Sequence, residues 1–205
     1  MVRTVKSLHK SCDALAEREP AFASVLDQHG KPEPRSSPPG AITLLRTIVG
    51  QQVSVAAARS MWNKLEAAFG SPPDLSKLLK ASDEEMRGAG MSRQKAGYIR
   101  SLAELVLSGE LDLDNLPKDD EEAIAHLIKI KGIGRWSAEI YLLFAEGRTD
   151  VWPAGDLAVQ IEIGRLLGLD DKPSEKQLRG LAEAWRPHRS AAAVLAWHSY
   201  NSAVL

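Results

Sequence analysis

A carboxylate, a pair of glycines and a set of indoles hold the most chemical capacity in this sequence. Asp156 follows Pro153-Ala154-Gly155 and opens the stretch LAVQIEIGRLLG, whose apolar Leu157, Ile161, Ile163, Leu166 and Leu167 mark a helix. A carboxylate at that point can serve as a plain helix N-cap. Ionised beside a reacting sugar, the same group stabilises a developing cation or orients an attacking water. Just over twenty residues earlier, Gly132-Ile133-Gly134 separates two helical stretches. Gly132 suits the positive φ of a turn, Gly134 lets backbone approach a ligand without a Cβ in the way, and Ile133 is expected to plug the core. The helix that follows begins with free N–H groups next to Lys131 and Arg135, which is a seat for phosphate. One helix and one loop then bring Asp156 within reach of whatever that seat holds.

Other chemistries lack their residues. A single cysteine, Cys12, excludes an intramolecular disulfide, a cysteine-ligated zinc site and a four-cysteine cluster. His9, His29, His126, His188 and His198 are scattered, with no HExxH spacing. No apolar run approaches the roughly 18–20 residues of a membrane span, and MVRTVKSLHKSCDALAERE lacks the apolar centre of a secretory signal, so a cytoplasmic location is expected. With 205 residues and 44% hydrophobic content the chain can bury a substantial core. Its net charge of −1 argues against a nucleic-acid binder until the distribution is read. Pro34 to Leu65 carries Arg35, Arg46, Arg59 and Lys64 without an acid, and Met86 to Ala103 carries Arg87, Arg93, Lys95 and Arg100 without one. Acids collect instead in ELDLDNLPKDDEE, 110–122. A neutral chain can therefore present an electropositive face, although ordinary solvated helix faces give the same pattern.

The elements that must position these groups are helical throughout. Residues 4–18 and 20–29 read as two short helices, and KPEPRSSPPG, 31–40, as a linker. Steps of three and four from Ile42 to Phe69 predict helix, broken at Gly50-Gln51-Gln52 into two helices meeting at an exposed junction. Asp74 and Ser82 or Asp83 are expected to cap short helices, and GAGMS, 88–92, turns the chain into a helix over 93–109. Further helices are expected near 124–128, 135–146, 156–167, 174–185 and 189–203, with no alternation long enough for a sheet. The fold class is all-α: about ten helices in two lobes with a cleft between them, residues 1–34 forming an N-terminal arm and 35–205 the body, with the hairpin near 124–146.

The combination GIGRW, an apolar helix, DVWPAGD and finally WRPHRS with AW after it resembles the helix-hairpin-helix DNA glycosylase superfamily, and within it the 3-methyladenine DNA glycosylase II branch. The likeness covers roughly residues 35–205. It implies that Asp156 is the catalytic aspartate. It implies that Lys131, Gly132, Gly134 and Arg135 bind DNA backbone, and that the main-chain carbonyls of Ile128, Ile130 and Ile133 hold a structural sodium or potassium ion. Trp136 falls where bifunctional relatives carry a Schiff-base lysine, which implies a monofunctional enzyme. Trp136 and Trp197 match aromatic pocket positions, and Ile140 stands where the family has a pocket tyrosine. The wedge segment matches Gln51 and Gln52, with Gln52 entering the gap left by an extruded nucleotide. Ser92 and Lys95 are candidates for a second phosphate contact. His188, next to Arg189, is a candidate for the pocket or for phosphate, with a capping role as the plain alternative.

Together these residues lead to the expectation of a monomeric enzyme acting on damaged double-stranded DNA. It would excise alkylated purines by base flipping and aspartate-assisted hydrolysis, with no cofactor for catalysis and no membrane partner. A purine methylated at N3 or N7 is cationic, hence a good leaving group and attracted to aromatic faces by about 0.5–2 kcal/mol per contact. Two rivals stay open. One is a glycosylase of the same fold for an ethenylated, deaminated or oxidised base; the other is a non-enzymatic DNA-binding module in which Asp156 only caps its helix.

Overall fold

The computed structural model describes residues 4–204, within which there are twelve α-helices, one short 3₁₀ turn and no strand. The first three residues of the predicted N-terminal arm lie outside the described part. In chain order the helices are α1 Val5–Ala16, α2 Pro20–His29, α3 Ala41–Gly50, α4 Val55–Phe69, α5 Leu75–Lys80, α6 Asp83–Gly88, α7 Arg93–Leu107, α8 Asp120–Leu127, α9 Arg135–Phe144, α10 Leu157–Leu166, α11 Glu175–Leu181 and α12 Arg189–Val204. Side chains start most of them. Asp74, Ser82, Ser92, Asp119, Asp156 and Ser174 each accept a hydrogen bond from a backbone N–H of the first turn, satisfying donors that have no partner within the helix. Of the two caps considered for α6, Ser82 is the one used, in a reciprocal pair with Glu85.

The predicted break at Gly50-Gln51-Gln52 is the junction between α3 and α4. The single helix expected over 174–185 is divided. α11 ends at Leu181 and Ala182–Trp185 tighten into the 3₁₀ turn, because Pro187 cannot continue a helix and biases the residue before it away from helical geometry.

The chain forms two compact units, one made of residues up to Ser36 together with Leu142–Leu205, the other of Ser37–Tyr141. In the first, α12 packs on α10, α1 and α2. Its surface toward them is alanine-rich: Ala191, Ala192, Ala193 and Ala196 are all fully buried, which lets neighbouring backbones come close. Edge-to-face contacts of Trp185 with Phe22 at 5.1 Å and with Trp152 at 5.4 Å fill the centre. Trp152, Trp185 and, in the other unit, Trp62 are thus packing residues, all at most 5% exposed.

In the second unit α7 is the central post, packed against α3, α5 and α6. Its Ile99, Leu102 and Ala103 are fully buried alongside Leu44, Leu45 and Ile48 of α3. Among the described residues no helix is long and apolar enough to cross a membrane.

Candidate functional site

Asp156 is the N-cap of α10, and its Oδ1 accepts the Val159 N–H at 3.0 Å. The same oxygen accepts a second hydrogen bond, also 3.0 Å, from the indole N–H of Trp197 on α12. The cap and the candidate reactive group are therefore one carboxylate, and the cap bond helps to hold it in place. The loop leading to it is closed by short-range bonds: Ala154 N–H donates to the Trp152 carbonyl at 2.9 Å and Asp156 N–H to the Pro153 carbonyl at 3.0 Å. Gln160 Nε2 donates to the Ala154 carbonyl at 2.9 Å and is itself held by Lys172 Nζ on its Oε1 at 2.6 Å. Val151, Trp152, Pro153 and Ala154 are all buried, so Asp156 emerges half-buried from a rigid base.

A clamp ties this loop to the start of α12, and it accounts for the residues of the WRPHRS stretch. Arg189 makes two parallel hydrogen bonds to Asp150, Nε to Oδ1 and Nη2 to Oδ2, each 3.0 Å, and both side chains are mostly buried. Arg186 adds Nη1 to Oδ2 at 2.7 Å. Fully buried Ser190 closes the pair of strands of chain by accepting the Val151 N–H at 3.0 Å and donating to the Val151 carbonyl at 2.9 Å. The helix that carries Trp197 and the loop that carries Asp156 are thereby fixed as one piece. Trp197 is half-buried and stacks on Phe144, with ring centroids 5.6 Å apart. Both rings line a pocket of about 270 Å³ together with Val194, His198, Asn201 and the linker residues Lys31 to Glu33 and Arg35.

In the other unit the hairpin is built on glycine geometry. Gly132 has φ +83°, and a Cβ there would overlap the Tyr98 ring of α7, so both the turn and the close packing demand glycine. Ile133 is 4% exposed and plugs the core as expected, whereas a Cβ on Gly134 would meet open space. From behind, Ser101 Oγ accepts the Lys131 N–H at 3.1 Å. Gln51 Nε2 donates to the Gly132 carbonyl at 2.8 Å, so the α3–α4 junction and the hairpin are tied together. Beside it, exposed Gln52 has φ +56°, the one non-glycine residue with positive φ among the described residues. Such a conformation costs of order 1–2 kcal/mol and persists only where surrounding structure imposes it.

The Ile130 carbonyl accepts the Ile133 N–H at 3.0 Å as part of this turn, and the side chain of Ile130 is fully buried. Isoleucine side chains carry no donor atom, so a cation held by Ile128, Ile130 and Ile133 would meet main-chain oxygens only, a neutral set suited to a single positive charge. Among the described residues no group of three or more His, Cys, Asp or Glu side chains comes together as a metal site.

Several candidates are otherwise engaged. Arg135 donates to Glu121 and, at 2.9 Å, to Glu139, and the Glu121 contact foremost makes its guanidinium still harder to deprotonate; a phosphate there would compete with two carboxylates. Ser92 caps α7, and Lys95 donates its ammonium to the Val49 carbonyl at 2.6 Å, with burial lowering its pKa. Ser92 thus serves the start of α7 and Lys95 the joint between α7 and α3. The His188 ring bonds Ser11 Oγ at 3.1 Å, and its pKa is lowered by burial first and by Arg18 next. It does not line the pocket at Trp197, and its carbonyl accepts the Ala191 and Ala192 N–H groups as α12 begins, the capping alternative. Trp136 is 47% exposed and shares a face of α9 with half-buried Ile140 one turn on.

Residues that the sequence did not single out are Asp150, Ser190, Gln160, Tyr98 and Ser101, all positioning groups. Only the arginines of the WRPHRS stretch signalled any of them.

A sequence model described as HhH-GPD superfamily base excision DNA repair protein matches residues 45–187. The chain is 32% identical over 158 residues to DNA-3-methyladenine glycosylase 1 of Schizosaccharomyces pombe, covering 75% of this chain and 69% of that protein. It is 29% identical over 164 residues to a putative DNA-3-methyladenine glycosylase of Bacillus subtilis, of whose length it spans 57%. Among solved structures, a DNA-3-methyladenine glycosidase from Bacillus halodurans superposes with a TM-score of 0.84 at 31% identity, covering 96% of this chain and 90% of that one. The S. pombe 3-methyladenine DNA glycosylase in complex with abasic DNA superposes with a TM-score of 0.79 at 28% identity, covering 96% and 97%.

Proposed function

The chain belongs to the HhH-GPD superfamily of base excision DNA repair proteins, and from that premise we propose that it is a monofunctional DNA glycosylase that excises alkylated purines from duplex DNA. The observation that carries this reading is Asp156, a carboxylate held by two hydrogen bonds on a rigid loop at the start of a helix. The names of the relatives, 3-methyladenine glycosylases, support the substrate class, and one solved neighbour is bound to abasic DNA, the expected product.

In this reading the hairpin holds backbone phosphate through the N–H groups at the start of α9, with Lys131 beside it. A sodium or potassium ion on the carbonyls of Ile128, Ile130 and Ile133 would add positive charge there. Gln52, already in a strained and exposed conformation, enters the duplex as the damaged nucleotide leaves the stack. The N-glycosidic bond then breaks, its electron pair leaving with the methylated purine, which departs neutral. The Asp156 carboxylate stabilises the cationic sugar, water adds at C1′, and the carboxylate accepts the proton. An abasic site and a free base result. Trp136 cannot form a Schiff base with C1′, so the strand stays intact.

Asp156→Asn separates this enzyme from a binding module. Asparagine caps a helix as well as aspartate does and still offers an oxygen to Val159 and Trp197, so the cap geometry is kept while the negative charge and the second acceptor oxygen are lost. Release of 7-methylguanine from methylated duplex is expected to fall by at least about 10³-fold, near 4 kcal/mol of barrier, with affinity for abasic DNA unchanged or higher. Unchanged release rejects the assignment.

A further inference from the structure

Two stretches of the chain carry arginine and lysine without an acid, and the fold treats them differently. In Met86 to Ala103, Arg100 donates to Asp83 at 2.7 Å, Lys95 donates to the Val49 carbonyl, and Arg87 and Arg93 line a pocket that also holds Asp83. In Pro34 to Leu65, Arg46 of α3 and Arg59 of α4 line one surface pocket of about 450 Å³, and neither side chain makes an ion pair among the described residues. Four-residue spacing puts Val55, Arg59 and Asn63 on one face of α4, with Trp62 beside them. The Arg46 guanidinium lies over the Trp62 ring, 3.8 Å from its centroid. Trp62 is 5% exposed and its Nε1 is buried without a hydrogen-bond partner, so the indole serves Arg46 with its face. Such stacking fixes the plane of a guanidinium and leaves its in-plane N–H donors available. Glu66 is the one acid in the pocket, and its Oε1 accepts Ser71 Oγ at 3.1 Å. Two guanidinium groups against one carboxylate leave the pocket net positive.

We infer that this pocket is a seat for a backbone phosphate of duplex DNA, held by Arg46 and Arg59 with the Asn63 amide as a further donor. Val55, on the same pocket, is 82% exposed, and an apolar side chain beside two guanidinium groups suits a sugar–phosphate better than a free anion. The two helices that build the pocket meet at Gln51-Gln52, and Gln51 is bonded to the Gly132 carbonyl, so the pocket, Gln52 and the hairpin belong to one unit. The assignment rests on the reading above in which Gln52 enters the duplex, because the backbone flanking an inserted residue runs past the helices that carry it. It also gives the acid-free stretch from Pro34 to Leu65 a use. Each neutralised phosphate releases condensed counterions, so the seat has a signature in the salt dependence of binding.

The test measures affinity for an abasic duplex over a series of potassium chloride concentrations. Arg46→Gln and Arg59→Gln are each expected to lower the slope of log K against log salt by about 0.9, while Arg46→Lys and Arg59→Lys, which keep the charge, hold the wild-type slope. Lys64 lies in the same acid-free stretch but outside the pocket, so Lys64→Gln controls for overall charge and should leave the slope unchanged. Arg59 is exposed, so Arg59→Gln reads the seat even where loss of the Arg46 stack lowers the melting temperature. The indole proton resonance of Trp62 separates the two sources of phosphate: it should shift with abasic duplex and stay in place with inorganic phosphate at the same ionic strength. A shift with inorganic phosphate as large as that with duplex makes the pocket a free-anion site and overturns the duplex assignment. An unchanged slope in both Gln proteins, or an equal fall in Lys64→Gln, overturns the seat and leaves the glycosylase reading, which is judged by base release from the wild type. Lowered slopes in variants of a protein that releases no base overturn that reading and leave the seat.

Discussion

Asp156 and Gln52 are opposites in construction. Asp156 is held by two donors on one oxygen, on a loop closed by its own backbone and clamped to α12 through Asp150 and Arg189. Gln52 is exposed, sits at a φ of +56° that its side chain disfavours, and is supported by its neighbour Gln51 on the Gly132 carbonyl. On the proposed function Asp156 meets a transition state, and such a group gains from being fixed before substrate arrives. On the same proposal Gln52 enters a duplex, and such a group gains from standing proud of the surface, its strain sustained by the hairpin behind it. Rigidity is thus local, concentrated at the carboxylate to which the proposed function assigns the chemistry.

Four perturbations probe this contrast, in decreasing order of expected effect. Gly132→Ala imposes a disfavoured φ and an overlap with Tyr98, so thermal or denaturant unfolding should show a loss of about 2–4 kcal/mol, and DNA affinity should fall with it. Adding Tyr98→Ala should relieve the overlap alone and recover part of the loss. Arg189→Met removes the two-bond contact to Asp150 and should cost about 2 kcal/mol, moderated by Arg186 on the same carboxylate, while slowing base release more than it weakens DNA binding. An equal loss in binding would place the clamp in DNA contact and break the comparison. Gln52→Gly should move the other way in stability, a gain of about 0.5–1 kcal/mol from relief of the positive φ, with slower base release; a destabilised Gln52→Gly protein would show that the turn is not strained. Replacing sodium and potassium by tetramethylammonium in a binding titration should weaken affinity for abasic DNA by about threefold, roughly 0.7 kcal/mol, if a monovalent ion sits on the hairpin carbonyls.

The all-helical class and the order of elements were legible because their signals are local. Three- and four-residue apolar spacing, serine and aspartate caps and the Gly50-Gln51-Gln52 interruption each act within a turn or two of chain. The candidate site was legible as a set of residue types, and its internal wiring was not. Asp150 meets Arg189 across 39 residues and Trp197 meets Asp156 across 41, and no periodicity reports pairings made by the packing of α12 against α10. The same holds in reverse for Arg135 and Lys95, which look like exposed phosphate ligands in sequence. In the fold they answer Glu121, Glu139 and the Val49 carbonyl. The N-cap reading of Asp156, one of two alternatives in sequence, describes the fold, and the proposed catalytic role is compatible with the same geometry.

The most direct measurement is chromatographic analysis of the bases released from duplex DNA treated with a methylating agent, alongside duplexes carrying single ethenylated or deaminated bases, with strand integrity followed in each. The account predicts release of 3-methyladenine and 7-methylguanine ahead of the uncharged lesions, intact strands bearing abasic sites, and no adduct trapped by borohydride. Absence of any released methylpurine, or a trapped adduct with a cleaved strand, would contradict it.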